Sequence, residues 1–198
     1  MQAGLQISDE LISGYHKWEK RTMKRRMWLV MKMDKKGKKA KAVVISHNGG
    51  RITDTDKPLP EDIQEKLDNA TKKENGEIEL TDEEKEKKNW HYSLEMARTE
   101  AAYREICEGN ESVGWPGLSQ SESCYFTLKV NYHDGERPQD AIVLVYWRAS
   151  KGSGAMMEGM QYTTAVQSLK NSITWKGYIE AESIGDMTLE EIIKSAQK

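Results

Sequence analysis

Cys124-Tyr-Phe-Thr-Leu-Lys-Val-Asn131, His133-Asp-Gly-Glu-Arg-Pro138 and Ala141-Ile-Val-Leu-Val-Tyr-Trp147 decide the fold. The first stretch is rich in aromatic and β-branched residues and predicts a strand. The second carries Asp-Gly and a proline and predicts a turn. The third is apolar without interruption. Strict alternation would mark a strand with one wet face, whereas an unbroken run predicts a central strand buried on both faces. Two such strands around a turn form the middle of a sheet.

Toward the C-terminus, Lys151-Gly-Ser-Gly154 predicts a flexible loop. Residues 156–173 predict a helix with Met160, Val166, Leu169 and Ile173 facing inward. Residues 175–181 predict a fifth strand, and Thr188 is placed to cap a last helix from Leu189 to about Gln197. Toward the N-terminus, Thr81-Asp-Glu-Glu84 is a capping box. It predicts a long helix with Trp90, Leu94, Ala97 and Ala101 on one stripe, ending near Glu108-Gly109-Asn110. Residues 112–123 read as loop. Residues 51–80 are polar, contain Pro58 and Pro60, and predict loop with a short helix over 61–69. Met27-Trp-Leu-Val-Met-Lys-Met33 and Ala40-Lys-Ala-Val-Val-Ile-Ser46 flank a glycine turn and predict a hairpin, after which His47-Asn-Gly-Gly50 breaks the pattern. Ser8, followed by Asp9-Glu10 and then Leu11, Tyr15 and Trp18 at helical spacing, predicts a helix over 9–21. The order implies an α/β fold: a mixed five- to six-stranded central sheet flanked by helices on both faces. No internal repeat is present.

With 37% hydrophobic and 31% charged residues the chain can build a core and stay in water. No apolar run reaches the roughly 18–20 residues that span a bilayer. The first ten residues lack a basic segment followed by an apolar one, so the cytosol is the expected compartment. Cys107 and Cys124 form no C-x-x-C pair and read as reduced thiols. Net charge is −2 but unevenly spread. Residues 17–41 carry roughly ten net positive charges, and residues 54–111 are acidic. Such a basic block is a solvated face or a contact for an acidic partner such as actin, nucleic acid or a phosphoinositide surface. Lys20-Arg-Thr-Met-Lys-Arg-Arg26 also has the composition of a nuclear import signal, although a helix end and strand entry in solvent accounts for it better.

Catalytic patterns are absent. His16, His47, His91 and His133 are widely spaced, with no second ligand at metal spacing on the same element; His16 and His91 are expected on helix faces. There is no G-x-S-x-G, and Lys151-Gly-Ser-Gly154 lacks the order of a phosphate loop. Asp54-Thr-Asp56 begins like a calcium loop but lacks the later glycine and glutamate. No enzyme, metal or cofactor is expected.

The ends of the chain resemble the actin-depolymerising factor/cofilin homology family. The resemblance covers about 1–48 and 100–198. It rests on Ala3-Gly-Leu-Gln-Ile-Ser-Asp-Glu10, on Trp28-Leu-Val-Met-Lys-Met-Asp34, on the two strands and turn quoted first, on Met160-Gln-Tyr162, and on Thr188-Leu-Glu-Glu-Ile-Ile193. It implies a single domain over 1–198, with residues 50–90 a charged insertion that a minimal member lacks. Loop-closure cost grows only logarithmically with length, so a fold tolerates this. The implied function is binding to actin monomers, filaments or both, with filament disassembly or turnover and no chemistry. The implied actin-binding residues are Ala3, Gly4, Leu5, Lys151, Met156, Met157, Met160, Thr163, Thr164 and Lys170. The implied filament contacts are Arg137, Lys194 and Lys198. Phosphoinositides are a further implied ligand of the basic residues; nucleic acid is not, and a cytoplasmic, cytoskeletal monomer is expected. Two departures stand out. Family members that bind actin strongly carry lysines just before Met-x-Tyr, where this chain has Met157, Glu158 and Gly159. Ala3 stands where many animal members carry a phosphorylatable serine. The glia maturation factor branch resembles the C-terminal third nearly as well, which implies an alternative role on the branched-actin nucleating complex.

Overall fold

The computed structural model describes residues 6–20, 26–34, 42–51, 58–87, 91–134, 137–152 and 155–198. The sheet is built from β1 (Gln6–Ile7), β2 (Arg26–Met33), β3 (Ala42–Arg51), β4 (Cys124–Asp134), β5 (Arg137–Trp147) and β6 (Gly177–Ala181) in the spatial order β1-β3-β2-β4-β5-β6. The two outer pairs, β1 with β3 and β5 with β6, are parallel; the three inner pairs are antiparallel. The sheet is therefore mixed, with five long strands and a two-residue edge strand. Both of its faces are covered, and alternation along the strands sends side chains to each. Phe126, Leu128, Val143, Val145 and Trp147 pack with α4 (Leu94–Glu108) and α6 (Leu189–Gln197) on one face. Tyr125, Leu144, Tyr146, Leu29 and Met31 pack with α1 (Asp9–Glu19) and α5 (Ala155–Ser172) on the other. Residues 143–146 are fully buried, as the unbroken apolar run requires.

Local signals set the helix starts. The Ser8 hydroxyl accepts from the Leu11 N–H at 3.0 Å, and Thr188 does the same for Glu191 at 3.3 Å. The Thr81 capping box forms in both directions, with the Thr81 N–H donating to Glu84 and the Glu84 N–H donating to the Thr81 hydroxyl. Its helix, however, is the short α3 (Asp82–Lys87) and not one long element. Ser93 sits in extended geometry, and its hydroxyl accepts from the Met96 N–H, so α4 starts afresh with its own cap. Trp90, expected on the same stripe, lies outside the described residues. At the other end Gly109 has φ +111°, and a Cβ there would lie 2.9 Å from the Trp115 carbonyl. This position stops the helix and brings the Trp115 segment back against it.

Two strands outrun their expected bounds. β3 continues through His47-Asn-Gly-Gly50 instead of ending before it. Gly49 pairs with Trp28 on β2, and a Cβ at Gly49 would collide with the indole, so the glycine makes room for the ring within the strand. β4 and β5 remain paired out to Asp134 and Arg137, in residues expected to be turn. Residues 137–140 are exposed, and this hairpin end projects beyond the core, where polar residues cost a strand nothing.

The polar region contains more helix than expected. α2 (Glu61–Glu74) covers the outer side of α4. Ile63 and Ala70 are buried against it. The Arg104 guanidinium grips the Asp62 carboxylate with two N–H donors and also reaches Glu100 at 3.1 Å. Lys66 and the Tyr92 hydroxyl each donate to Glu100 at 2.7 Å. Arg104 holds the Asp62 carboxyl below its ordinary range by hydrogen bonding and charge. Among the described residues no helix is long and apolar enough to cross a membrane.

Candidate functional site

Helix α5 is fixed in rotation by what it buries. Tyr162, Ala165, Leu169 and the following Ile173 form its inner stripe. Three tyrosines lock that stripe to the sheet. The Met33 N–H donates to the Tyr162 phenol oxygen at 3.0 Å, the Tyr125 hydroxyl donates to the Tyr162 carbonyl, and the Tyr146 hydroxyl donates to the Gly159 carbonyl at 3.2 Å. Rings 146 and 162 stack with centroids 5.8 Å apart. Burial pushes all three phenols above their ordinary range, so they act as neutral hydrogen-bonding groups. Only Met160-Gln-Tyr162 of this arrangement was singled out by sequence. The other two tyrosines read simply as strand residues, because partners on different elements leave no local pattern.

With the inner stripe fixed, the outer one follows. Met157 is 71% exposed and Met160 68% exposed. Met160 was expected to face inward with Val166 and Leu169; Tyr162 and Ala165 take that place, one turn apart, and rotate Met160 out. Thr163, Thr164 and Lys170 are exposed on the same side. The Thr163 and Thr164 hydroxyls donate to the Gly159 and Met160 carbonyls at 2.9 Å each. Their hydrogen bonds are thus internal. The Met156 side chain lies outside the described residues. Gly159 is buried, with Tyr146 and Arg148 beside it. A lysine there would emerge next to Arg148 and not on the methionine face.

The approach to α5 is pinned. The Ala149 N–H donates to Ser123 Oγ at 2.9 Å, and the Ser150 and Lys151 N–H groups both donate to the Gln120 carbonyl at 3.0 and 2.9 Å. Lys151 is exposed at the end of this anchored turn. On the other side, β1 packs against α5, so the described chain begins beside this helix. Ala3, Gly4 and Leu5 lie outside the described residues.

Arg137, Lys194 and Lys198 fall elsewhere. Arg137 is exposed where β5 begins. Lys194 lies on α6 and pairs with Glu190 at 3.0 Å and Glu191 at 2.9 Å, which raises its pKa; Lys198 follows at the helix end. The Tyr132 hydroxyl contacts the Ala196 carbonyl at 3.5 Å. That contact brings the end of α6 toward the hairpin end bearing Arg137. This group shares the α4 face and not the α5 face, so the structure gives two separate surfaces.

No group of three His, Cys, Asp or Glu residues able to hold a metal occurs among the described residues. A cleft of about 650 Å³ lies between α2 and α4 and is lined by Arg98, Glu105 and Glu108 among others; none of the α5 face residues borders it. Cys107 and Cys124 are free, and burial pushes their thiols up to about 11 and about 12, where neither is a nucleophile at neutral pH. His91 is not on a helix as expected. It follows α3 in irregular chain and stacks on His133.

Residues 114–197 match the family of cofilin/tropomyosin-type actin-binding proteins. No curated protein sequence matches the chain. Among solved structures, the chain is similar to actin depolymerization factor 2 of Plasmodium berghei, with a TM-score of 0.52, 15% identity and 100% of each chain covered. It is similar to coactosin of Entamoeba histolytica, with a TM-score of 0.52, 11% identity and 99% and 96% covered. It is similar to cofilin of Streptomyces griseoflavus, with a TM-score of 0.51, 10% identity and 98% and 97% covered. Identities this low speak for the fold alone. Residues 114–197 thus carry the sequence pattern of the cofilin/tropomyosin-type actin-binding family, and the described chain has the fold of these structures.

Proposed function

We propose that the chain binds actin through the outer face of α5, with Met157 and Met160 at its centre. The observation that carries this is the exposure of these two side chains on a helix whose opposite side is locked by three tyrosines. Large apolar side chains held rigidly in water one turn apart favour burial by a partner. Methionine is flexible and polarizable and fills an apolar cleft without demanding one shape. Thr163, Thr164 and Lys170 extend this face and Lys151 borders it; Met156 and the tail residues Ala3, Gly4 and Leu5 are further actin contacts that the family resemblance implies. Arg137, Lys194 and Lys198 form the second surface, used on filaments, where Lys194 exchanges its own-helix glutamates for partner carboxylates. Preference for one subunit arrangement over another is sufficient to promote filament disassembly, without any catalytic residue. The whole chain acts as one domain, and residues 50–90 are an addition to it, carried on α4 through α2. A cytoplasmic, cytoskeleton-associated monomer fits this role, with phosphoinositide headgroups as further ligands of the basic stretch.

One observation favours a second role. The exposed N-terminal turn of α5 offers no lysine, and Gly159 is turned away from its face. A partner that needs no lysine there, such as the branched-actin nucleating complex, suits this turn as a glia maturation factor-like regulator would use it. Co-sedimentation with actin filaments separates the two. The chain is expected to pellet with filaments, or to move actin into the supernatant if it holds monomers. If neither fraction changes while the nucleating complex retains the chain, the second role replaces the first.

A further inference from the structure

Residues 58–87, with α2 against α4, and residues 91–92 are held by different chemistry. In the first stretch, Arg104 grips Asp62 and Ile63 is buried. In the second, the His91 ring lies flat on His133 of β4, with centroids 4.8 Å apart and planes 9° from parallel. Glu74, at the last turn of α2, reaches His91 Nδ1 at 3.9 Å. His133 Nδ1 is buried without a hydrogen-bond partner. A ring that carries two donors when protonated is badly served by that pocket. Two imidazoliums stacked face to face would also repel at short range in partly buried surroundings.

We infer that the His91–His133 stack is an acid-released catch joining residues 91–92 to the β4–β5 hairpin. The stack holds while at most one ring is protonated and opens when both are. The charged groups bearing on His133 are His91 and, from α2, Glu74. Burial is the largest influence and lowers the His133 pKa, His91 lowers it further, and Glu74 opposes them. A folded-state value below the unfolded one means that the unfolded chain takes up the proton first. The contact therefore supports the fold above the ordinary histidine value of about 6.5 and loses that support as pH falls. The contacts of residues 58–87 titrate elsewhere: hydrogen bonds from Arg104 and Lys73 hold the Asp62 and Glu84 carboxyls below their ordinary range, so both stay ionised while the histidines change.

The test is a proton NMR titration of the intact chain between about pH 7.5 and pH 5. At the upper end the ring protons of His91 and His133 should show a mutual nuclear Overhauser effect. On acidification the cross-peak should vanish. In His133→Phe the ring contact remains but cannot gain a second charge, and a cation over an aromatic face is favourable. Its cross-peak to His91 should survive at the acid end, which also shows that the variant is folded. A wild-type cross-peak that persists with both rings protonated would overturn the inference.

Discussion

Replacing Met160 with glutamate is expected to weaken actin binding about a hundredfold, with the fold intact. Met160 is 68% exposed and makes no contribution to either buried cluster, so the free protein loses little. Its backbone carbonyl, which accepts from the Thr164 hydroxyl, is retained. In the complex a carboxylate would be forced into an apolar cleft, and its desolvation costs on the order of a few kcal/mol when no cation awaits it. The measurement is binding to actin for wild type and variant, after circular dichroism and thermal unfolding have shown that both are folded. Undiminished binding by a folded variant would move the interface off this helix. A companion change, Met157→Lys, places a cation on the same exposed turn. It should tighten binding and make it more salt-dependent, because an exposed charge pair is screened and a thioether contact is not.

Trp28→Ala should produce the largest loss of stability, about 3–5 kcal/mol. The ring is fully buried at the crossing of β2, β3 and α4. It lies over Gly49, its centroid is 6.4 Å from that of Trp115, and its Nε1–H donates to Glu105 at 3.0 Å. Truncation leaves a cavity that the rigid sheet cannot close and takes away a donor from the Glu105 carboxylate. Urea unfolding followed by far-UV circular dichroism measures the change. Trp28→Phe keeps part of the volume and loses the hydrogen bond, so it should fall between the two. A loss below about 1 kcal/mol for the alanine variant would mean that β3 collapses into the space, contrary to the close approach at Gly49.

The central strands and most helix caps were legible because their causes are local. An unbroken apolar run marks β5, and Ser8, Thr81 and Thr188 each cap the backbone within three residues. The errors arise where the deciding partner is distant in sequence. His47-Asn-Gly-Gly50 reads as a break until Trp28 is seen lying on Gly49. The polar stretch around Glu61 reads as mostly loop because, among its described residues, only Ile63 and Ala70 are deeply buried, and the contacts that hold it, Arg104 with Asp62 and Lys66 with Glu100, span tens of residues. Met160 was expected inward on a helical stripe with Val166, Leu169 and Ile173; the tyrosine trio that turns α5 the other way draws on β4, β5 and the helix itself. The α5 face could be named residue by residue from the resemblance, but its rotation came only from the packing.

The α5 face can be tested most directly by methionine oxidation with dilute peroxide, read peptide by peptide by mass spectrometry, with and without actin. Oxidation follows exposure, so in the free chain Met157 and Met160 should react fast while Met27, Met31 and Met187, all buried, react slowly and serve as internal references. With actin in excess, Met157 and Met160 should slow toward the rate of buried Met31, and the references should not change. Unchanged oxidation of Met157 and Met160 in chain that is demonstrably bound to actin would contradict the assignment of this face.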